Sequence, residues 1–185
     1  TGSVGKTTLK NLISFALKNY GKTYHSPHSY NNKYGVPISV ANLKSDANYG
    51  VFEIGMDKKG EIESLSRIVK PEVAIITNIS PAHFKNFNSL KDIAKAKSEI
   101  INNTVRGGDI ILNKDSNFFN FLYNKSKKRG LNITSFSFKK KSDIFLLNYK
   151  KIKNNYRLKN KVKKDIFYFY TNNLAKSFLT NILAC

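Results

Sequence analysis

Apolar residues at Leu9, Leu12, Ile13, Ala16, Leu17 and Tyr20 recur every three or four positions until Gly21 interrupts them. That spacing predicts an amphipathic helix over residues 6–20. A polar loop follows around "SPHSYNNKYGVP". Beyond it, short β-prone runs alternate with segments of helical period: strands over 49–54 (YGVFEI) and 72–78 (EVAIITN), helices over 61–69 and 89–103. The unbroken apolar run of EVAIITN suits a strand covered on both faces. Further strands are predicted over 110–112 and 133–138, with a helix over 117–128 between them. This alternation argues for an α/β fold built on a doubly wound, mostly parallel sheet. Residues 143–170 change rhythm: β-prone runs (IFLLNY, YRLK, IFYFY) are separated by turn-like Asn and Lys, which predicts a small antiparallel β addition. A helix over 173–184 ends the chain, and neither a repeat nor a long linker divides it.

The predicted first helix is preceded by T-G-S-V-G-K-T-T, residues 1–8. Glycines let backbone N–H groups turn inward around phosphate oxygens, and the helix N-terminus adds its partial positive charge. In such a loop, Gly2, Ser3, Val4, Gly5 and Thr8 form the cradle, Lys6 reaches the β- and γ-phosphates, and the Thr7 hydroxyl is a Mg²⁺ ligand. The first glycine of the usual G-x-x-x-x-G-K-T pattern falls one residue ahead of Thr1. Glu53 ends a predicted strand, where an open α/β sheet presents ligand-handling groups, and a carboxylate there can hold Mg²⁺ directly or through water.

Two further positions stand out. Counting about 100° per residue from Leu90 places Lys97 near −20°, inside the stripe of Leu90, Ile93, Ala94 and Ile101, whereas Lys91 and Lys95 fall near 100° and 140° on the polar side. Lys97 is therefore predicted to point inward, where a lysine must snorkel, pair or give up its proton. His83, in "NISPAHFKNF", follows the strand ending at Asn78 and lies on the same expected ligand side of the sheet. His25 and His28 carry no comparable signal.

Composition narrows the class. Hydrophobic residues make up 41% of the 185, and no apolar run approaches the roughly 20 residues of a membrane-spanning helix, so the sequence reads as a soluble globular protein. The single cysteine, Cys185, has no internal partner and fits a reducing cytoplasm. The net charge of +20 is uneven: +6 over residues 1–104 and +14 over 105–185. Basic runs such as 125–129, 139–141 and 159–164 could contact nucleic acid, but a solvated lysine-rich face is the simpler expectation, so nucleic acid is not expected as a partner.

Four stretches together resemble the Mur ligases, the cytoplasmic enzymes that assemble the peptidoglycan stem peptide: "TGSVGKTT", "NNKYGVPIS", "FEIGMDKKGEIESLSRIVKPEVAIITNISPAHFKNFNSLKDIAKAKSEI" and, more loosely, "NNLAKSFLTNIL". E-x-G-M with G-E-I, then T-N-I-x-P-A-H, point to the branch that adds D-alanyl-D-alanine. The resemblance implies that residues 1–185 are the central ATP-binding domain lacking its first strand, with the N-terminal UDP-binding and C-terminal domains absent. It implies ATP-driven amide ligation through an acyl phosphate, with UDP-muramoyl tripeptide and D-alanyl-D-alanine as substrates, two Mg²⁺ ions, and a monomeric protein. By position it assigns Glu53 and His83 to the metals, Asn31 and Asn32 to the muramoyl peptide, and Asn173 to adenine. Lys97 falls where several members carry a lysine carbamylated by CO₂. The family's G-x-H-N-x-x-N pattern is reduced here to Asn173. Two other readings are a folylpolyglutamate-type or other Mur ligase, against which G-M-x-x-x-G-E-I weighs, and a basic P-loop ATPase acting on nucleic acid.

Overall fold

The computed structural model describes residues 1–81 and 86–185. Its helices are α1 (Lys6–Leu17), α2 (Gly35–Ala41), α3 (Glu61–Val69), α4 (Leu90–Lys97), α5 (Ile100–Asn103), α6 (Phe119–Arg129) and α7 (Lys176–Ala184). The strands are β1 (Thr23–His25), β2 (Tyr49–Val51), β3 (Val73–Ile76), β4 (Asp109–Asn113), β5 (Asn132–Ser137), β6 (Ile144–Ile152), β7 (Asn155–Val162) and β8 (Asp165–Thr171). The main sheet has the order β3-β4-β5-β6-β7-β8. Strands β3 to β6 run parallel, and β6 to β8 form the antiparallel addition.

Alternation along the central strands explains the double winding. Ala74, Ile76, Ile110 and Leu112 point into one core with Ile62, Ile93, Ile101 and Leu122 from α3 to α6. Ile75 and Ile111, one position on, pack against Leu9 of α1 and Leu183 of α7 on the opposite face. A strand with helices on both sides needs apolar residues at every position, which is what EVAIITN supplies.

Four details depart from the sequence reading. Helix α1 stops at Leu17, and Tyr20 is 79% exposed rather than part of the buried stripe. The 89–103 helix is broken at Ser98, whose hydroxyl bonds the Lys95 carbonyl; Glu99 then turns its carboxylate onto the N–H groups of Gly60 and Glu63 at the start of α3. Strand β1 and helix α2 lie within or beside the segment read as loop. Finally, among the described residues β2 pairs only with β1, in a separate two-stranded parallel sheet. A cavity of about 630 Å³ separates β2 from β3, lined by Leu9, Ile13, Val51, Phe52, Val73 and Ile75 among others. At its mouth Thr1 already follows β3 as a parallel strand would: its amine donates to Ile75 O at 2.7 Å, and its carbonyl accepts from Thr77 N at 3.1 Å.

Candidate active site

The loop over residues 1–5 is braced from two sides. Asn78, just past β3, accepts from the N–H groups of Ser3 (2.8 Å) and Val4 (3.1 Å), and the Ser3 hydroxyl donates to Ser80 O. From the other side Asn181 of α7, 2% exposed, donates to the Gly5 carbonyl at 2.9 Å. Both glycines are required here. A Cβ on Gly2 would lie 2.0 Å from Thr77 Oγ1, and Gly5 adopts φ +79, which a side chain disfavours. Gly5 is also the N-cap of α1, so the chain enters the helix with its first-turn N–H groups at the loop, the arrangement that attracts anions. Lys6 lies over this turn with its Nζ 3.3 Å from Gly2 O.

One residue along, the Thr7 hydroxyl donates to Glu53 Oε2 at 2.7 Å, and Asn31 Nδ2 donates to Glu53 Oε1 at 2.6 Å. Ser29 Oγ is 3.2 Å from Thr7 Oγ1. Glu53, two residues past β2 and 4% exposed, is thus held at both oxygens. Among the described residues no three His, Cys, Asp or Glu side chains gather into a metal cluster. The donor set is hard oxygen around one carboxylate. That fits a cation sharing its coordination with water and ligand phosphates, as Mg²⁺ does.

Lys97 closes α4 and is buried, as are Ile93, Ala94 and Ala96, while Lys91 and Lys95 are exposed. The inward orientation expected from periodicity is therefore present. Burial, with a smaller contribution from the positive charge of Lys6, pulls the Lys97 ammonium from 10.5 down to about 7. It makes no hydrogen bond or ion pair among the described residues. An amine in this state is substantially neutral near pH 7 and hence nucleophilic.

The other candidates are placed differently. Asn32 accepts from the N–H groups of Tyr34 and Gly35 and so shapes the entry to α2, one residue from Asn31 at the Glu53 carboxylate. Asn173 is exposed, and its side-chain oxygen accepts from Ala175 N just before α7. His83 lies outside the described residues. The sequence reading missed Asn78, Asn181 and Lys10. Lys10 had a detectable signal: about 100° from Leu9 on the α1 wheel, beside Leu17 at about 80°.

The model of the Mur ligase middle domain matches residues 1–185. The UDP-N-acetylmuramoyl-tripeptide--D-alanyl-D-alanine ligase of Rickettsia prowazekii (strain Madrid E) is 38% identical over 151 residues, covering 81% of this chain and 34% of that protein. The crystal structure of MurF from Acinetobacter baumannii superposes on 99% of this chain and 40% of its own, with TM-score 0.91 and 28% identity. That of MurF ligase from Thermotoga maritima in complex with ADP does so with TM-score 0.85 and 26% identity, over 99% and 42%. The chain thus spans about a third of the length of the curated relative. It belongs to the Mur ligase middle-domain family.

Proposed function

We propose that this chain is the ATP-handling part of a ligase that joins D-alanyl-D-alanine to a UDP-muramoyl tripeptide. The observation that carries the reading is the Thr7–Glu53 contact at 2.7 Å beside a glycine loop that opens a helix. Gly2, Ser3, Val4, Gly5 and Thr8 cradle the phosphates, Lys6 neutralises them, and Thr7 and Glu53 hold Mg²⁺, with His83 and Lys97 serving a second ion. Bound Mg²⁺ would supply charge neutralisation on the phosphates. In the reaction, the tripeptide carboxylate oxygen attacks the γ-phosphorus and ADP leaves; the dipeptide amine then attacks the acyl carbon, phosphate leaves and the amine loses a proton. Such chemistry rests on positioning and electrostatics, so the chain needs no nucleophile of its own for transfer.

Lys97 has the burial and the lowered proton affinity that carbamylation needs: its neutral amine adds CO₂ and releases a proton, leaving a carboxylate. Asn31 is the residue through which the peptide-facing loop meets this site, and Asn173 is the remaining adenine candidate. The whole ligase also includes a strand lying between β2 and β3, supported by the apolar cavity there and by the ladder contacts of Thr1, together with UDP-binding and C-terminal domains. No helix of the described residues is long and apolar enough to cross a membrane. A cytoplasmic monomer is the proposed working form.

The test is phosphate release by the intact polypeptide given ATP, Mg²⁺ and both substrates. Release should require both the tripeptide and the dipeptide, and Lys97→Ala should lower it at least about 100-fold, with no rescue by bicarbonate. Release without the dipeptide at the full rate, or normal turnover by the variant, would contradict the reading.

A further inference from the structure

Lys10 is a buried cation that the roles above leave unused. It lies on α1 one turn beyond Lys6 and Thr7 and is 4% exposed. Burying an ammonium is costly unless its N–H groups are bonded. Here Nζ donates to the Ser26 carbonyl at 2.6 Å and to the His28 carbonyl. Burial pulls its proton affinity down while the Glu53 charge holds it up.

The two carbonyls belong to the loop that delivers Asn31 and Ser29 to the site. Ser26 is anchored to the β2 segment, its N–H on Val51 O at 3.0 Å and its hydroxyl accepting from Glu53 N at 3.3 Å. His28 has φ +41, a left-handed conformation that costs a non-glycine residue on the order of 1 kcal/mol and persists only where its surroundings hold it. Just beyond this turn, Ser29 meets Thr7 and Asn31 meets both Glu53 and the Gly55 N–H. The geometry points to Lys10 as a positioning residue: it pins the Ser26 and His28 carbonyls, so that Ser29 and Asn31 are held against Thr7 and Glu53 before a cation binds. This rests on the MgATP reading for its consequence, but the lock itself belongs to the chain alone.

The experiment compares Lys10→Met with wild type in the intact polypeptide by two readouts. Hydrogen exchange without ligand should quicken at least about tenfold at the Tyr30 and Gly55 amides, which bond Pro27 O and Asn31 O, and stay unchanged in β4. The Mg²⁺ concentration for half-maximal ATP binding should rise at least about tenfold, while Mg²⁺-free nucleotide affinity stays within about twofold. Lys10→Gln, which keeps two N–H donors without the charge, should fall between the two proteins in both readouts, and it carries the test if the Met variant does not fold. Unchanged exchange at Tyr30 and Gly55 overturns the lock. Quickened exchange with an unchanged Mg²⁺ requirement overturns its role at the site. If wild type shows no Mg²⁺-dependent ATP binding, the MgATP reading fails and exchange alone decides whether Lys10 pins the loop.

Discussion

Around the phosphate loop the buried side chains include Lys10, Glu53, Lys97 and Asn181, and all but Lys97 are held by hydrogen bonds to named neighbours. On β8, at the far edge of the main sheet, Ile166, Phe167, Tyr168, Phe169 and Tyr170 are between 37% and 59% exposed. The usual sorting of polar and apolar residues is thus inverted at both ends of the molecule. In the first region the inversion has a chemical reason, since charges removed from water act strongly on a ligand and change their own proton affinity. In the second it reflects a strand that pairs, among the described residues, with β7 alone and whose two faces are both left open. Burial of charge, rather than exposure of apolar surface, marks the candidate site.

Substitutions can break or sharpen that contrast. In the Mg²⁺ requirement the contrast is tested by Glu53→Gln, which keeps the shape and removes the charge: the Mg²⁺ needed for half-maximal ATP binding should rise at least about tenfold, read by calorimetry, with Mg²⁺-free affinity little changed. Next is Lys97→Met. Because the folded-state value is lowered from 10.5 to about 7, the unfolded chain binds the extra proton between those limits. Wild-type stability should therefore rise with pH across about 7 to 10.5 relative to the Met variant, by up to about 5 kcal/mol in CO₂-free urea titrations. A parallel pH dependence in both proteins would mean that Lys97 is solvated. Asn181→Ala, which removes the bond to Gly5 O, should lower stability by about 1–2 kcal/mol and weaken nucleotide binding slightly. Smallest is Phe167→Thr on β8, expected to change stability by less than about 0.5 kcal/mol and nucleotide binding not at all. A loss as large as that of Asn181→Ala would show that β8 is packed.

Much of the fold was legible because it follows single periods. The stripe on α1 as far as Leu17, the two-sided run of β3 and the inward angle of Lys97 each depend on local spacing, and the structure retains them. What the sequence hid was set by neighbours. Strand β1, three residues of Thr-Tyr-His, has no run long enough to show a period and exists because it pairs with β2. Helix α2 begins with Gly35 and carries Pro37 in its first turn, where the missing N–H interrupts nothing, so punctuation that reads as a loop opens a helix instead. At the site, Lys6, Thr7 and Glu53 were legible from the loop and the strand end, and the structure brings them together. Asn181 was not, because its partner is a backbone carbonyl brought close only by the folded chain, and Lys10 showed no more than its angle beside the apolar stripe, its carbonyl partners likewise being set by the fold.

The central claim is that the buried polar cluster at the start of α1 is a MgATP site. It is tested most directly by calorimetric titration of ATP into the intact polypeptide, with and without Mg²⁺, for wild type and Lys6→Ala. The account predicts binding at least about tenfold tighter with Mg²⁺ in wild type and an affinity lowered about 100-fold or more in the variant. Equal affinities in the two proteins, or indifference to Mg²⁺ in wild type, would contradict it.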